Sequence, residues 1–313
     1  MKSCAVSQAE CREYPLNKII LSPNAKHRAL FKGVFMIYLF LAILSSTLIS
    51  LIMRASSNKA DKKLSMLAAN YVVCSLLAVL SSKNAIFAFG RSDFSNALIL
   101  GIINGALYLT SFILFQYSTQ KNGIVLSSVF MKLGLLVPMA VSVIFFKEIP
   151  LPLQIIGFLA AIVAILLINW QKGVKLSGSA LILLFLLLTG GMGDAMAKIF
   201  ERRGSADFSG SFLFFTFFSA LLFCLALICA KREKPNIKSV VWGALIGIPN
   251  FFSAKFLLLS LSSIKAVIAY PTYSVTTILL VTLIGTILFK ERLKKLQWIA
   301  LCIILIALIL LNI

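Results

Sequence analysis

The sequence contains little of what soluble enzymes use for catalysis. It has one histidine, His27, and ten acidic residues in 313 positions. A membrane enzyme would need histidine, aspartate or serine clustered at a catalytic spacing, and no such cluster is present. The chain also has no long polar loop from which a soluble domain could fold. The first absence argues against an enzyme. The second weakens the alternative of another class, a membrane receptor or scaffold without transport, because such a protein would need a sizeable soluble loop or tail. No cofactor is expected.

Cysteine occurs six times. Four cysteines lie in apolar stretches, where a thiol packs like a small hydrophobic group: Cys74, Cys224, Cys229 and Cys302. The other two, Cys4 and Cys11, stand in a polar segment with no further cysteine or histidine at a metal-ligating spacing. We therefore expect neither a metal site nor a disulfide framework.

Hydrophobic residues are abundant. They make up 60% of the chain, and its mean hydropathy is +1.00. Only a bilayer accommodates so much apolar surface, so the composition predicts a multi-pass protein of the plasma or inner membrane. The net charge of +20 is attributed to short loops that contact anionic lipid head groups. Nucleic acid is not expected as a partner, because no soluble basic domain is present to bind it.

Apolar runs of about 20 residues, the length that crosses a bilayer, occur ten times. They are 33–53, 64–82, a part of 94–120, 122–146, 149–171, 176–200, a part of 208–230, 239–261, 266–289 and 296–313. The sequence thus predicts an all-α membrane protein with ten transmembrane helices behind a polar cytoplasmic tail, residues 1–32. Basic residues flank the first run equally on both sides, so the positive-inside rule does not orient the chain.

The end of the chain repeats a stretch from its middle. Phe146–Asn169 reads FKEIPLPLQIIGFLAAIVAILLIN, and Phe289–Asn312 reads FKERLKKLQWIALCIILIALILLN, 143 residues further on. The matched polar pairs are Lys147 with Lys290, Glu148 with Glu291, Gln154 with Gln297, and Asn169 with Asn312. We therefore predict two related halves, 33–171 and 172–313. Because each half holds five runs, an odd number, the second half should be inverted in the membrane, with Glu148 and Glu291 at opposite faces.

The third and eighth runs extend this repeat. Each has two glycines four residues apart, followed by an aligned serine: Gly101, Gly105 and Ser111 in the third run, and Gly243, Gly247 and Ser253 in the eighth. This spacing places both glycines on one face of a helix, where another backbone can approach closely. We predict that both glycine faces pack against helices and not against lipid.

Ten apolar runs in two halves, with a Lys-Glu corner after the fourth and ninth runs, resemble the drug/metabolite transporter superfamily, and within it the EamA-like transporters. The fourth helix of that family carries a proline, an apolar run and a glutamate, which Pro138 and Glu148 match. The ninth run departs from the pattern, because Val281 stands at the aligned position and Pro271 comes earlier. The resemblance covers residues 33–313. It implies a secondary transporter, often an exporter of amino acids or other small metabolites.

Three charges interrupt the apolar runs: Lys132, Asp194 and Lys255. A charge in a span costs about 2.5–3.5 kcal/mol on insertion scales, so each should face a cavity or a partner. Asp194 and Lys255 lie at matching depth, and we expect them to face each other across a central cavity with Lys132 nearby. Two alternatives stay open for Asp194: an ion pair with Lys198 on its own helix, or a substrate or proton role without a partner. Lys198 and Glu201 are assigned to the membrane flank.

Lys132 has two interpretations, a tether to backbone or hydroxyl oxygens and a positive site for an anionic group of the substrate. Uncharged polar residues add weaker binding candidates: Asn104, Tyr108, Asn250 and Tyr270. Tyr270-Pro271 should break the hydrogen-bond ladder of the ninth helix, which exposes carbonyls and allows a hinge. The glycines 190, 191 and 193 should loosen the sixth helix in the same way.

The expected function is transport of a small molecule by alternating access, with the halves rocking about a central site. Two lysines against one aspartate favour a carboxylate- or phosphate-bearing ligand. The EamA-like pattern favours export of an amino acid or similar metabolite, and the lysines favour a sugar-phosphate or organic-anion exchanger. A homodimer is compatible with either.

Overall fold

The computed structural model describes residues 25–56, 62–82, 92–122, 124–168, 180–289 and 295–312. In this part of the chain the regular elements are all helical, which confirms the all-α prediction. We number the helices α1 (Ala25–Ser56), α2 (Lys63–Ser81), α3 (Ser92–Asn122), α4 (Ile124–Leu133), α5 (Leu136–Phe146), α6 (Pro152–Ile168), α7 (Ala180–Arg203), α8 (Ser209–Lys231), α9 (Ile237–Leu261), α10 (Ala266–Phe289) and α11 (Lys295–Asn312), with a short 3₁₀ helix at Ala206–Phe208. Of the predicted polar tail, residues 25–32 form the start of α1.

Seven of the described segments are long and apolar enough to cross a bilayer. They are Phe35–Met53, Lys63–Ser81, Asp93–Phe115, Leu181–Arg203, Ala206–Lys231, Ile237–Leu261 and Ala266–Leu288. Three shorter apolar segments, Phe130–Phe146, Pro152–Leu167 and Trp298–Asn312, lie at the fourth, fifth and tenth predicted runs. The chain is an integral multi-pass membrane protein.

The fourth run is not the single helix that its hydropathy predicts. It is divided into α4 and α5 by a turn at Gly134 and Leu135. Pro138 lies in the first turn of α5, where its missing N–H would have no partner within the helix anyway. A helix can therefore begin before this proline at little cost, whereas one continuous helix would lose a hydrogen bond. Lys132 is in the last turn of α4, beside the break.

The most extensive helix contacts are the same when the two predicted halves are exchanged. α3 packs against α8 as α9 packs against α2, and α3 contacts α7 as α9 contacts α1. α4 and α5 contact α7 as α10 contacts α1. Two further pairs, α2 with α8 and α6 with α11, join equivalent helices of the two halves.

Both glycine pairs face neighbouring helices, as predicted. A Cβ at Gly105 would collide with Ser219 and Thr216 of α8. A Cβ at Gly247 would lie 2.7 Å from Cβ of Val73 and 2.8 Å from the Asn70 carbonyl oxygen of α2. Because only glycine leaves room for these approaches, the spacing of the glycines fixes how tightly α3 and α9 pack.

Neither Pro271 nor the glycines of the sixth run interrupt their helices. α10 runs unbroken past Pro271, although a proline inside a helix removes one backbone hydrogen bond. α7 is likewise continuous through its glycines, where they permit close contact instead. A Cβ at Gly191 would collide with the Gly134 carbonyl and lie 2.6 Å from the Val137 side chain. The glycine stretch thus lets α7 press against the break between α4 and α5.

The chain reverses between α5 and α6 at the Lys-Glu corner. Lys147 ends α5 in the left-handed conformation, with φ 54°, and the Glu148 N–H donates to the Ser142 carbonyl at 3.2 Å. This turn directs Glu148 back into the protein, where 4% of its surface is exposed. The predicted counterpart of the corner, residues 290–294, lies outside the described residues, as do residues 1–24 with Cys4 and Cys11.

Candidate functional site

A cavity of about 430 Å³ lies among α1, α2, α3, α4, α7 and α9. Its walls are mostly apolar, with polar groups from every one of these helices. The lining residues are Ser46, Ile49, Ser50, Met53, Met66, Leu67, Asn70, Tyr71, Leu107, Tyr108, Ser111, Phe112, Phe115, Met131, Lys132, Thr189, Gly190, Gly193, Asp194, Ile246 and Asn250. Apolar walls with a few converging polar groups are typical of a small-molecule site.

Lys132 supplies the positive charge of the cavity. Its position at the C-terminal end of α4 follows from the break before Pro138. Because the last carbonyls of a helix carry partial negative charge, this position stabilises a cation. In the described part of the chain the ammonium has no ion-pair partner within 4.0 Å. A ligand with a negative group would therefore meet an available cation here.

Asp194 supplies the negative charge, from α7. Asp194 and Lys132 line the same cavity. Among the described residues, however, the Asp194 carboxylate has no ion-pair partner within 4.0 Å. The expected pair with Lys255 is therefore not formed, and neither is the alternative pair with Lys198. The cavity presents two opposite charges that no direct ion pair satisfies.

Lys255 does not belong to the wall of this cavity. Its side chain is partly buried, and its Nζ lies 5.7 Å from the centre of the Phe251 ring, a distance at which a cation is attracted to a ring face. Matching depth on parallel helices did not bring Lys255 to Asp194, because depth says nothing about the side of the helix from which each side chain points.

Asn250 lines the cavity together with a residue that the sequence did not single out. The Asn250 amide donates to Oδ1 of Asn70 at 3.1 Å, joining α9 to α2. The Cys74 thiol donates to the same oxygen at 3.6 Å. Asn70 and Tyr71 are the large polar residues of an otherwise apolar second run, and that interruption is the signal that could have found them.

Tyr108 and Asn104 lie one turn apart on α3 but have different surroundings. Tyr108 lines the cavity, and a Cβ at Gly193 would be 3.6 Å from its ring, so glycine lets the ring approach α7. Asn104 is buried behind the wall, where its amide donates to Thr216 Oγ1 at 3.4 Å. Its Oδ1 has no hydrogen-bond partner in the described structure.

Tyr270 is also outside the cavity wall but touches a cavity residue through the backbone. Its hydroxyl donates to the main-chain carbonyl of Asp194 at 2.6 Å, and its side chain is 1% exposed. This hydrogen bond connects α10 to α7 at the residue whose carboxylate lines the cavity.

A second polar cluster, formed by Glu148, Lys198, Glu201 and Arg202, lies at the far end of α7. Glu148 Oε1 is 2.8 Å from Lys198 Nζ and 2.9 Å from Arg202 Nη2. Lys198 Nζ is also 2.7 Å from Glu201 Oε2. The assignment of Lys198 to the membrane flank is wrong, because its side chain is 2% exposed within this cluster.

Glu148 also caps the first turn of α10. Its Oε2 accepts a hydrogen bond from the Ala266 N–H at 2.7 Å. Burial alone would raise the pKa of Glu148, but the hydrogen bonds from Lys198 and Arg202, the Lys198 charge and the Ala266 amide outweigh burial, so the pKa lies below its usual value. The carboxylate is therefore held ionised.

The apolar helices enclose a cavity with polar and charged walls, so the chain is a multi-pass membrane protein with a candidate small-molecule site. Comparison with known proteins refines that class. Residues 176–313 match the EamA-like transporter family, which confirms, for this part of the chain, the resemblance to EamA-like members of the drug/metabolite transporter superfamily.

Two further comparisons cover most of the chain. An uncharacterised protein of Haemophilus influenzae (strain ATCC 51907 / DSM 11121 / KW20 / Rd) is 24% identical over 272 residues, which span 83% of this chain and 92% of that protein. A solved crystal structure covers 90% of this chain and 98% of its own, with a TM-score of 0.71 and 11% identity. At this identity the structural match shows a shared fold.

Proposed function

We propose that the protein is a secondary transporter that exports or exchanges a small zwitterionic metabolite, with an amino acid as the leading class. The observation that carries this proposal is the pair of opposite charges in one cavity, Lys132 and Asp194, neither of which has an ion-pair partner among the described residues. Lys132 would bind the substrate carboxylate, and Asp194 would bind its ammonium group. The protein has no enzymatic role in this proposal.

The remaining cavity wall fits the rest of such a substrate. Tyr71, Tyr108, Phe112 and Phe115 offer aromatic surface for a side chain, and Asn70 and Asn250 offer amide groups to its polar end. The volume of about 430 Å³ falls within the range of about 300–1,000 Å³ that small-ligand sites occupy. A sugar-phosphate or other organic dianion fits less well, because Asp194 would repel it and Lys255 is not in the wall.

Alternating access would follow from an inverted repeat. We propose ten spans in two oppositely oriented halves, 33–171 and 172–313. The exchange-symmetric helix contacts and the equivalent glycine contacts, α3 on α8 and α9 on α2, support this arrangement. The cavity then lies between the halves, and the broken α4–α5 segment beside Lys132 supplies a helix end to the site, as discontinuous helices do in other transporters.

The test is counterflow in proteoliposomes with labelled amino acids, neutral metabolites and sugar phosphates in parallel. We expect uptake of an amino acid that is lost in Lys132→Met and in Asp194→Asn, since each variant removes one half of the charge recognition. Lys255→Met is the matched control, a partly buried lysine outside the cavity wall, and should keep uptake at an equal amount of folded protein. Uptake of sugar phosphates that depends on Lys132 but not on Asp194 would favour the anion exchanger.

A further inference from the structure

The cluster around Glu148 lies at one end of the helix bundle, and the cavity occupies a different part of it. On α7 the cavity wall uses Thr189 to Asp194, whereas Lys198 and Arg202 lie further towards the C-terminus. On α9 the wall uses Ile246 and Asn250, well before the helix end that leads to Ala266. The cavity thus lies in the middle of the helix bundle, and the Glu148 contacts join the helices at the end of the bundle where α5 ends and α10 begins.

We infer that Glu148 holds a gate closed. Its contacts with Lys198, Arg202 and the Ala266 N–H, here called the latch, keep this end of the transporter shut while the cavity is accessible from the other end. The inference rests on the proposed transport by alternating access. Glu148 belongs to the first half of the chain, and its partners Lys198, Arg202 and the Ala266 N–H all belong to the second. A rocking motion between the halves must break these contacts, so they decide how often this end opens.

The burial of the cluster suits it to this role. Lys198 and Glu148 are 2% and 4% exposed, so water reaches neither group while the latch is formed. Separating them leaves each charge unpaired until water enters, which makes the intermediate positions unfavourable. Such a contact gives two discrete states, closed or open and hydrated, as a gate requires.

The latch is also mechanically connected to the cavity. α10 begins at Ala266, which Glu148 caps, and one turn later Tyr270 donates to the Asp194 carbonyl. On α7, Lys198 follows Asp194 by four residues, about 6 Å along the helix. A substrate that moves α7 at Asp194 therefore displaces two contacts of the latch together.

The test is a distance measurement by double electron–electron resonance on the full chain in lipid nanodiscs, in a background with the six cysteines replaced. Spin labels at Ile149→Cys and Ser262→Cys span the latch. Labels at Lys63→Cys and Tyr117→Cys report on the cavity end. All four positions are exposed. The variant is Glu148→Gln, which removes the charge but keeps an oxygen that can accept from the Ala266 N–H.

We expect Glu148→Gln to raise the ratio of the long-distance to the short-distance population across the latch by about tenfold, the factor that loss of one charged hydrogen bond corresponds to. Arg203→Gln is the matched control. Arg203 is exposed at the same helix end, without an ion pair in the described structure, and its loss should leave the distances unchanged. If Glu148→Gln does not fold, Arg202→Gln provides the same test. The Arg202 side chain is 45% exposed, so its replacement leaves no buried cavity.

Distances across the latch that match the parent in Glu148→Gln, or in Arg202→Gln where the first variant does not fold, overturn the inference. The measurement is independent of the substrate. Opening of the latch in a protein that transports none of the tested solutes would support the latch and count against the proposed substrate class alone. Lys132→Met should abolish uptake with unchanged latch distances, so failure of binding and failure of gating are separable.

Discussion

The carboxylate of Glu148 lies 2.7 Å from the backbone nitrogen of Ala266, 118 residues later in the chain. The first half of the protein thereby caps a helix of the second half. The remaining oxygen of the same carboxylate accepts from Lys198 and Arg202. One side chain thus joins the α5–α6 corner to both α7 and α10.

Removing this side chain should destabilise the fold. Glu148→Ala leaves the buried Lys198 with one carboxylate partner and the Ala266 N–H without an acceptor, and breaking a buried ion pair typically costs about 3–5 kcal/mol. Glu148→Gln should cost less, because the amide oxygen can still accept one hydrogen bond. Thermal unfolding in detergent measures both, with Arg203→Ala as the exposed control. Equal melting temperatures for Glu148→Ala and the parent would contradict the buried pair.

The same residue should make stability depend on pH in the acid range. Its folded pKa is lowered, so its contribution is fully present above the unfolded pKa of about 4.3 and is lost as the pH falls through the folded pKa. The parent should therefore be more stable than Glu148→Gln near neutral pH, and the two melting curves should converge below about pH 4.3. If the difference in melting temperature between the parent and Glu148→Gln stayed constant down to and below the folded pKa, the contribution of Glu148 to stability would not depend on its charge.

The glycine contacts should resist enlargement. In Gly105→Leu the new side chain meets Ser219 and Thr216, and in Gly247→Leu it meets Val73 and Asn70. Overpacking a close contact costs typically about 1–3 kcal/mol, so both variants should melt earlier and yield less folded protein.

The matched controls for the glycine variants are Ile103→Leu and Ile248→Leu, on the exposed sides of the same two helices. These should behave like the parent. If the glycine variants and the isoleucine variants melt alike, the packing of α3 on α8 and of α9 on α2 is wrong.

The bond between Asn250 and Asn70 should be visible as energetic coupling. Asn250→Ala alone leaves the Asn70 oxygen with the weaker Cys74 donor, and Asn70→Ala alone leaves the Asn250 amide without this acceptor. Residues in one hydrogen-bond network typically couple by about 0.5–3 kcal/mol. The double variant should therefore lose less stability than the two single variants together. Strict additivity in a double-mutant cycle of melting free energies would argue against the bond.

The sequence predicted the membrane class and the helical content, and at seven of its ten apolar runs the described residues form segments long and apolar enough to cross a bilayer. A bilayer requires about 20 consecutive apolar residues, a local property that can be counted without knowing any neighbour. The same local reasoning failed at the fourth run, where Pro138 starts a second helix beside Lys132. At Pro271, α10 continues across the backbone hydrogen bond that the proline removes.

The candidate site was predicted only in part. Of the seven proposed binding residues, Lys132, Asp194, Tyr108 and Asn250 line the cavity, because an intramembrane polar group must face something other than lipid. This requirement does not specify whether a polar group faces the cavity or another helix. Asn104 turned out to be buried behind the wall, and Lys255 and Tyr270 also lie outside it, while Asn70 is in it.

By itself the sequence determined that this chain crosses a membrane as apolar helices and that its paired glycines allow close helix packing. It also determined that Lys132, Asp194 and Lys255 must be shielded from lipid. Those properties depend on the length, polarity and spacing of residues along one helix. Only the tertiary structure decided the partner of each charge. Lys198 lies one turn from Asp194 yet pairs with Glu148, 50 residues earlier, because the αL turn at Lys147 directs that carboxylate into the bundle and the rotation of α7 presents Lys198 to it.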